Sequence, residues 1–242
     1  MAIYTETIFS RTLLASNAGE ELFSTIGPTA SFIPEKALSA VPFPLGLPGP
    51  AGTTLFTADE HPRADATIES LGRLKPAFRE GGVVTAGNAS GLNDAAAAVV
   101  ILSEEKAREL GVKPLLKLIG ICSEGVDPKV MGLGPAVAIP KCLIQAGLRF
   151  ENVDYWEINE AFAAQFLGVG RMLQEDYGIE LDLENVNRNG SGIALGHPIG
   201  CTALRLIVSL CYEMKRRDLA IGGASLCVSG GPGMASLWTR EI

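Results

Sequence analysis

Residues 185–211 constrain this 242-residue chain most, because a glycine-rich loop, a histidine and an apolar helix follow one another without a break. Gly190, Gly192, Gly196 and Gly200 open backbone conformations closed to other residues and let a ligand approach closely. Pro198 suits a first helical turn, where the N–H it lacks would have no intrahelical acceptor. From Ile199 to Leu210 the side chains are apolar nearly all round, and a helix of that kind is buried on every side. His197 thus lies where a loop meets a buried helix, a place able to hold an imidazole rigidly. A lone histidine is more often a packing residue. The surrounding glycines, and a single other histidine in the chain (His61), favour a functional one.

The rest of the chain reads as alternating elements. A helix is expected over 66–78, ending near Pro76, then a buried strand over 95–102. Ser103 with Glu104 and Glu105 starts a helix that stops before Gly111, with acids in its first turn. Strands are expected at 115–122 and 153–158, and helices at 135–146 and 160–177, closed by Gly147 and Gly178. A short strand around Val186, a helix to Arg217 and closing strands at 220–228 and 234–240 complete the pattern. Such alternation predicts an α/β fold: a mostly parallel mixed sheet with helices on both faces and right-handed crossovers, in the order βαβαβαββ.

Four blocks carry a more specific signal: Thr85 to Asp94, then Asn159-Glu160-Ala161-Phe162, then Gly196-His197-Pro198, and last Cys227 to Gly233. In this order they resemble the thiolases, which make or cleave 3-ketoacyl-CoA, and most of all the acetyl-CoA acetyltransferases. The resemblance covers about residues 56–241. It implies a thiolase C-terminal domain over 113–242, with 56–112 corresponding to the loop region and the end of the first half. Residues 1–55 stand apart; 25–52 are rich in proline and glycine, and Pro42, Pro44, Pro48 and Pro50 oppose both a helix interior and a central strand.

The resemblance also assigns roles. His197 would donate to the thioester oxygen and help activate the nucleophile, and Asn159 would hold a water that completes the enolate hole. Cys227 would be the proton-transfer cysteine, the Ser229 amide part of a second oxyanion hole, and Ser90 a pantetheine contact. Claisen chemistry between thioesters requires an acyl-carrying thiolate, a base for the α-proton, and donors for both the enolate and the tetrahedral oxyanion. The chain departs from the family at Ser229, where glycine is usual, at Pro232 and at Ala203-Leu204. The acyl-accepting cysteine, expected in a Cys-Gly-Ser-Gly setting before residues 59–63, has no counterpart, since no cysteine precedes Cys122.

The expectation is therefore an acyl-CoA acyltransferase not competent alone, with a coenzyme A thioester as substrate and no tightly bound cofactor or metal. Its partner would be a second copy or a complementary thiolase N-terminal chain. Without a first half, the 199–210 helix would show an apolar face to water and strand 95–102 would be an unpaired edge. One alternative is a non-catalytic, thiolase-like scaffold or acyl-CoA-binding subunit. Another is a Cys–His hydrolase using Cys201 or Cys227 with His197; Cys201, four residues after the histidine, reads better as structural. Cys122, Cys142 and Cys211 read as small buried hydrophobes.

Composition limits the remaining classes. A net charge of −7 argues against nonspecific nucleic-acid binding. Five scattered cysteines without a C-x-x-C pair argue against a disulfide framework or a zinc site. Apolar runs broken by charge, glycine or proline give no signal peptide or membrane span, so a reducing, cytoplasmic setting is expected.

Overall fold

The computed structural model describes residues 2–4, 9–10, 40–58, 61 and 63–242. Most of the 1–55 segment, and Asp59, Glu60 and Pro62, lie outside the described residues. In chain order the strands and helices are β1 (Ala2–Tyr4), β2 (Phe9–Ser10), β3 (Ala40–Gly49), β4 (Gly52–Ala58), α1 (Ile68–Gly72), β5 (Ala95–Ala96), β6 (Val100–Leu102), α2 (Glu104–Leu110), β7 (Leu116–Gly125), α3 (Gly134–Ala146), β8 (Tyr155–Ile158), α4 (Ala163–Tyr177), α5 (Gly192–Leu195), α6 (Thr202–Arg217), β9 (Ile221–Cys227) and β10 (Pro232–Thr239).

Local chemistry sets most of the helix ends. The Ser103 hydroxyl accepts from the Lys106 amide at 3.1 Å and starts α2. Gly111, Gly147 and Gly178 close α2, α3 and α4 in the left-handed conformation, as their positions in the sequence predict. The helix expected over 66–78 shrinks to the five residues of α1, because Thr67 and Ser70 form a capping box and Arg73 caps the other end. The prolines of β3 cause no conflict. Among the described residues β3 pairs only with β4, so both strands of that ribbon are edges.

The main sheet has six strands in the order β6-β1-β7-β10-β9-β8. β8 and β9 pair in parallel, and every other neighbouring pair is antiparallel. Four strands (β6, β7, β8 and β9) nevertheless point one way, as the alternation of strands and helices requires. The expected mostly parallel ladder is corrected by intercalation: β9 turns back at 228–231, so β10 must run antiparallel, and it then lies between β9 and β7. Val186 contributes an isolated parallel bridge to Trp156 and no full strand.

Helices cover both faces, and the alternation along β8 shows how. Trp156 and Ile158 pack into one cluster with Ile139 and Leu143 of α3 and Val169 and Leu173 of α4. Tyr155 points the other way, into a cluster with Leu206, Leu210 and Met214 of α6. α3 reaches the sheet at a point without side chains. A Cβ on Gly134 would lie 2.7 Å from the Gly233 Cα at the start of β10.

Two further expectations are corrected. Strand 95–102 breaks into β5 and β6, and Val100 and Ile101 are about half exposed. β6 pairs with β1 on one side, so it is an edge of the sheet and not unpaired. The long helix starts at Thr202; Pro198 stands in the turn before it and accepts from the Cys201 and Thr202 amides. α6 is mostly buried, and its buried side includes Thr202, Arg205, Ser209 and Glu213 as well as apolar residues. Periodicity alone counts such residues as breaks in an apolar run. Among the described residues no helix is long and apolar enough to cross a membrane.

Candidate active site at the carboxyl ends of two parallel strands

Adjacent parallel strands end side by side, and in α/β sheets ligands bind off those carboxyl ends. β8 and β9 are in register at Ile158 and Ser225. Asn159 therefore leaves β8 next to the last residues of β9, and its amide donates to the Ser225 carbonyl at 2.9 Å. Cys227 is the final residue of β9 and is buried.

A loop is tied down over these strand ends. The Ser90 amide donates to the Ala161 carbonyl at 2.9 Å, and the Ala163 amide returns a bond of 2.9 Å to Asn88. The 88–90 segment is thus fixed to the start of α4, with Ala89 bridging Phe162. The same loop holds the histidine: the His197 amide lies 3.2 Å from both the Gly91 carbonyl and the Asn93 Oδ1. Gly196, at φ +93°, lets the chain pass Asn93; a Cβ there would collide with the Asn93 amide. Gly192 is required for a similar reason, since a Cβ would lie 2.5 Å from the Glu160 carbonyl oxygen and 3.0 Å from the Asn159 Oδ1.

The imidazole is held from both ends. Nδ1 lies 2.7 Å from the Thr202 hydroxyl, and Nε2 lies 3.5 Å from the Asn159 Nδ2. Asn159 is fully buried, and its Oδ1 has no donor among the described residues. Asn187, at φ +51°, bonds both the amide and the carbonyl of Ile158 with its side chain and reaches Glu160 Oε1 at 2.8 Å. It does the work of a neighbouring strand where the backbone leaves the ladder.

Electrostatics follow from burial. The His197 imidazole is held below its ordinary range by burial and, next, by the positive charge of Arg205. Burial pushes the Cys227 thiol up, partly offset by a backbone hydrogen bond. The thiols of Cys142 and Cys211 are pushed up to about 11 by burial, in keeping with inert core positions. Cys122 is likewise buried.

Of the residues singled out in the sequence, Asn159, His197 and the Ser90 backbone are joined by these bonds, and Cys227 closes the neighbouring strand. Ser229 sits in the turn after β9, exposed and outside the positive-φ region, so serine replaces glycine there without backbone strain. Among the described residues the Ser229 N–H has no acceptor. Cys201 ends up at the N-cap of α6, where its side chain makes no cap bond. It lines a cavity of about 420 Å³ with Asn93, Ala95, Pro198, Gly200 and Leu204. Sequence reading missed Thr202 and Arg205. The available signal was a hydroxyl and a charge inside an otherwise apolar run.

Known proteins share this chain's sequence and fold. Residues 112–240 match the family described as thiolase, C-terminal domain, and residues 39–105 match thiolase, N-terminal domain. The second match reaches back into the 1–55 segment. This chain belongs to the thiolase family. It is 52% identical over 192 residues to the acetyl-CoA acetyltransferase of Syntrophomonas wolfei, covering 79% of this chain and 47% of that one. It is 46% identical over 211 residues to an Escherichia coli acetyl-CoA acetyltransferase, covering 87% and 52%. The solved Syntrophomonas wolfei enzyme superposes with a TM-score of 0.77 at 62% identity, over 82% of this chain and 50% of that chain. Human mitochondrial 3-ketoacyl-CoA thiolase gives a TM-score of 0.73 at 40% identity, over 81% and 48%. The chain spans about half the length of the curated relatives it matches.

Proposed function

We propose that this chain carries the proton-transfer half of a thiolase active site and acts on coenzyme A thioesters, with the acyl-accepting cysteine supplied from outside these 242 residues. The observation that carries the reading is the His197 imidazole, held between Thr202 and Asn159 while the 88–93 loop is bonded to both motif segments.

In the thiolytic direction a thiolate attacks the 3-keto carbon of a 3-ketoacyl-CoA. The bond between the keto carbon and the α-carbon breaks, leaving an acyl-enzyme and the enolate of acetyl-CoA. The Cys227 thiol, kept protonated by burial, gives its hydrogen to the enolate carbon. Coenzyme A then takes the acyl group and frees the nucleophile. In the condensing direction Cys227, as thiolate, removes the α-proton instead. His197 Nε2 takes the proton of the nucleophilic thiol and then donates it to the thioester oxygen, beside Asn159. In this reading the Ser229 N–H serves the second oxyanion, and Ser90 contacts the pantetheine. A cytoplasmic setting and a role in fatty acid metabolism belong to the same proposal.

The test combines turnover with intact mass. The chain is incubated with acetyl-CoA or acetoacetyl-CoA, alone and with a separately produced N-terminal half of the Syntrophomonas wolfei enzyme. The expected result is no acyl adduct and no thiolysis alone, and thiolysis in the mixture that His197→Asn lowers at least about 100-fold. An adduct with turnover on the chain alone would overturn the external nucleophile. Binding of coenzyme A without turnover in any mixture would favour the non-catalytic subunit.

A further inference from the structure

The Thr202 hydroxyl is fully buried and has one hydrogen to give. The Pro198 carbonyl, which can only accept, lies 3.1 Å away. The hydroxyl oxygen also lies 2.7 Å from the His197 Nδ1. With its hydrogen on the Pro198 carbonyl, the hydroxyl meets Nδ1 as an acceptor and Nδ1 carries a hydrogen; with its hydrogen on Nδ1, the other tautomer results. In the first case the other nitrogen of a neutral imidazole is a bare acceptor. At that other end stands an amide donor, the Asn159 Nδ2, 3.5 Å from Nε2. The first arrangement suits the Asn159 Nδ2 at the other end of the ring, and it is the one taken up below.

The charge state has a second determinant on the same helix. Arg205 follows Thr202 by three residues, so the two share a face of α6. It is 3% exposed, and none of its three guanidinium nitrogens has a hydrogen-bond acceptor among the described residues. Its charge acts through space on Glu157, Cys201 and Glu160 as well as on the imidazole.

We propose that the first turn and a half of α6 clamps the proton inventory of His197: Thr202 fixes the hydrogen on Nδ1, and the Arg205 charge keeps the ring neutral, so that Nε2 meets the substrate as a base. Charged and titratable groups reach this region from several elements. Arg205 and Cys201 come from α6 and its cap, Glu157 and Glu160 from β8 and the residues after it, Asp94 shares the cavity wall with Cys201, and the His61 ring stands against Gly91. Of these charges, that of Arg205 pushes the imidazole down, in the same direction as burial. Thr202 and Arg205 are positioning residues; neither is assigned a contact with substrate. The clamp sets an order of events for the reading above, on which this consequence rests. The S–H bond of the nucleophile breaks as the Nε2–H bond forms, and that new N–H becomes the donor to the thioester oxygen.

The experiment reads the ring itself, apart from any turnover. The chain has two histidines, so a ¹⁵N-histidine sample gives two ring patterns, and His61→Gln identifies the one that belongs to His197. Expected in the wild type near neutral pH is a protonated Nδ1 with an unprotonated Nε2, and a titration midpoint below about 6.5. Thr202→Ser should keep the tautomer and Thr202→Val should lose it. Arg205→Met should raise the midpoint, and Arg205→Lys should restore it. A predominant Nε2–H tautomer in the wild type, or an unchanged one in folded Thr202→Val, overturns the Thr202 half. A wild-type midpoint above about 6.5, or no rise in folded Arg205→Met, overturns the Arg205 half. If a variant fails to fold, the wild-type tautomer and midpoint decide alone. Absence of turnover changes none of these readings.

Discussion

Glu157 is fully buried, and the protein satisfies its carboxylate only in part. Tyr155 donates to one oxygen at 2.9 Å, and the other has no donor among the described residues. Burial pushes the group up to about 8, against the opposing pull of Arg205 and the Tyr155 hydroxyl. A carboxyl whose folded value lies above its unfolded value near 4.5 binds its proton more tightly in the native state. The stability it contributes is fully present below about 4.5 and is lost as pH rises through about 8, at no more than roughly 1.4 kcal/mol per pH unit. His197 acts in the opposite sense, because its lowered value removes stability as pH falls. The readout is therefore a difference: in urea denaturation between pH 5 and pH 8, Glu157→Gln should lose the part of the decline that wild type shows. Equal slopes for the two proteins would mean that the carboxyl is ionised and paired throughout. At this scale the sequence was partly readable. Asn159, His197 and Cys227 sit in short motifs whose chemistry can be named from residue type. Thr202, Arg205 and Glu157 sit inside an apolar helix and a strand, where pattern shows burial but not the polar contacts across the layer.

The elements were more readable than their arrangement. Ser103, Gly111, Gly147 and Gly178 mark helix ends through local capping, which depends on a few neighbouring residues and so survives in any fold. Strand neighbours depend on contacts far apart in sequence. The insertion of β10 between β7 and β9 left no trace in the hydrophobic period, nor did the breakage of the 95–102 strand. The contact of α3 with β10 falls in the same class and has a testable consequence. A Cβ on Gly134 would stand 2.7 Å from the Gly233 Cα and 2.9 Å from its nitrogen, which are backbone atoms that cannot rotate away. Gly233 pairs with Cys227, so a shift of β10 at this point moves the Cys227 thiol, to which the proposed function gives the proton transfer. Gly134→Ala should cost about 1–3 kcal/mol in denaturant unfolding and should lower any complemented thiolysis more than stability alone explains. Gly125, on the strand that pairs with β10, faces open space, and Gly125→Ala should stay within about 0.5 kcal/mol of wild type. Similar losses in the two variants would show that the close approach of helix and strand does not position the site.

For the whole molecule, the apolar helix turns out to be covered, and the exposed apolar surface lies beside it. Leu92 is 89% exposed and Ile199 70%, and these residues flank the two segments that meet at Asn93 and Gly196. The cavity of about 420 Å³ opens between the same segments, with Cys201 and Leu204 in its wall. β6 adds an outer sheet edge on which Val100 and Ile101 are 46% and 47% exposed. Large side chains scattered singly over a surface are ordinary, whereas a cluster around a cavity next to an open strand edge invites association. The chain alone should therefore give a light-scattering mass above its 25.4 kDa, growing with concentration. Salt separates the two sources of attraction. Apolar association persists or strengthens at high ionic strength, while a chain of charge −7 held together by ion pairs would come apart. Leu92→Ser with Ile199→Ser should shift the mass toward 25.4 kDa while leaving unfolding nearly unchanged, since neither side chain is part of the core. Association that survives this double substitution would move the contact to the β6 edge, where Ile101→Lys should then remove it. A monomer at every concentration would mean that these exposed groups are too few to hold a second chain.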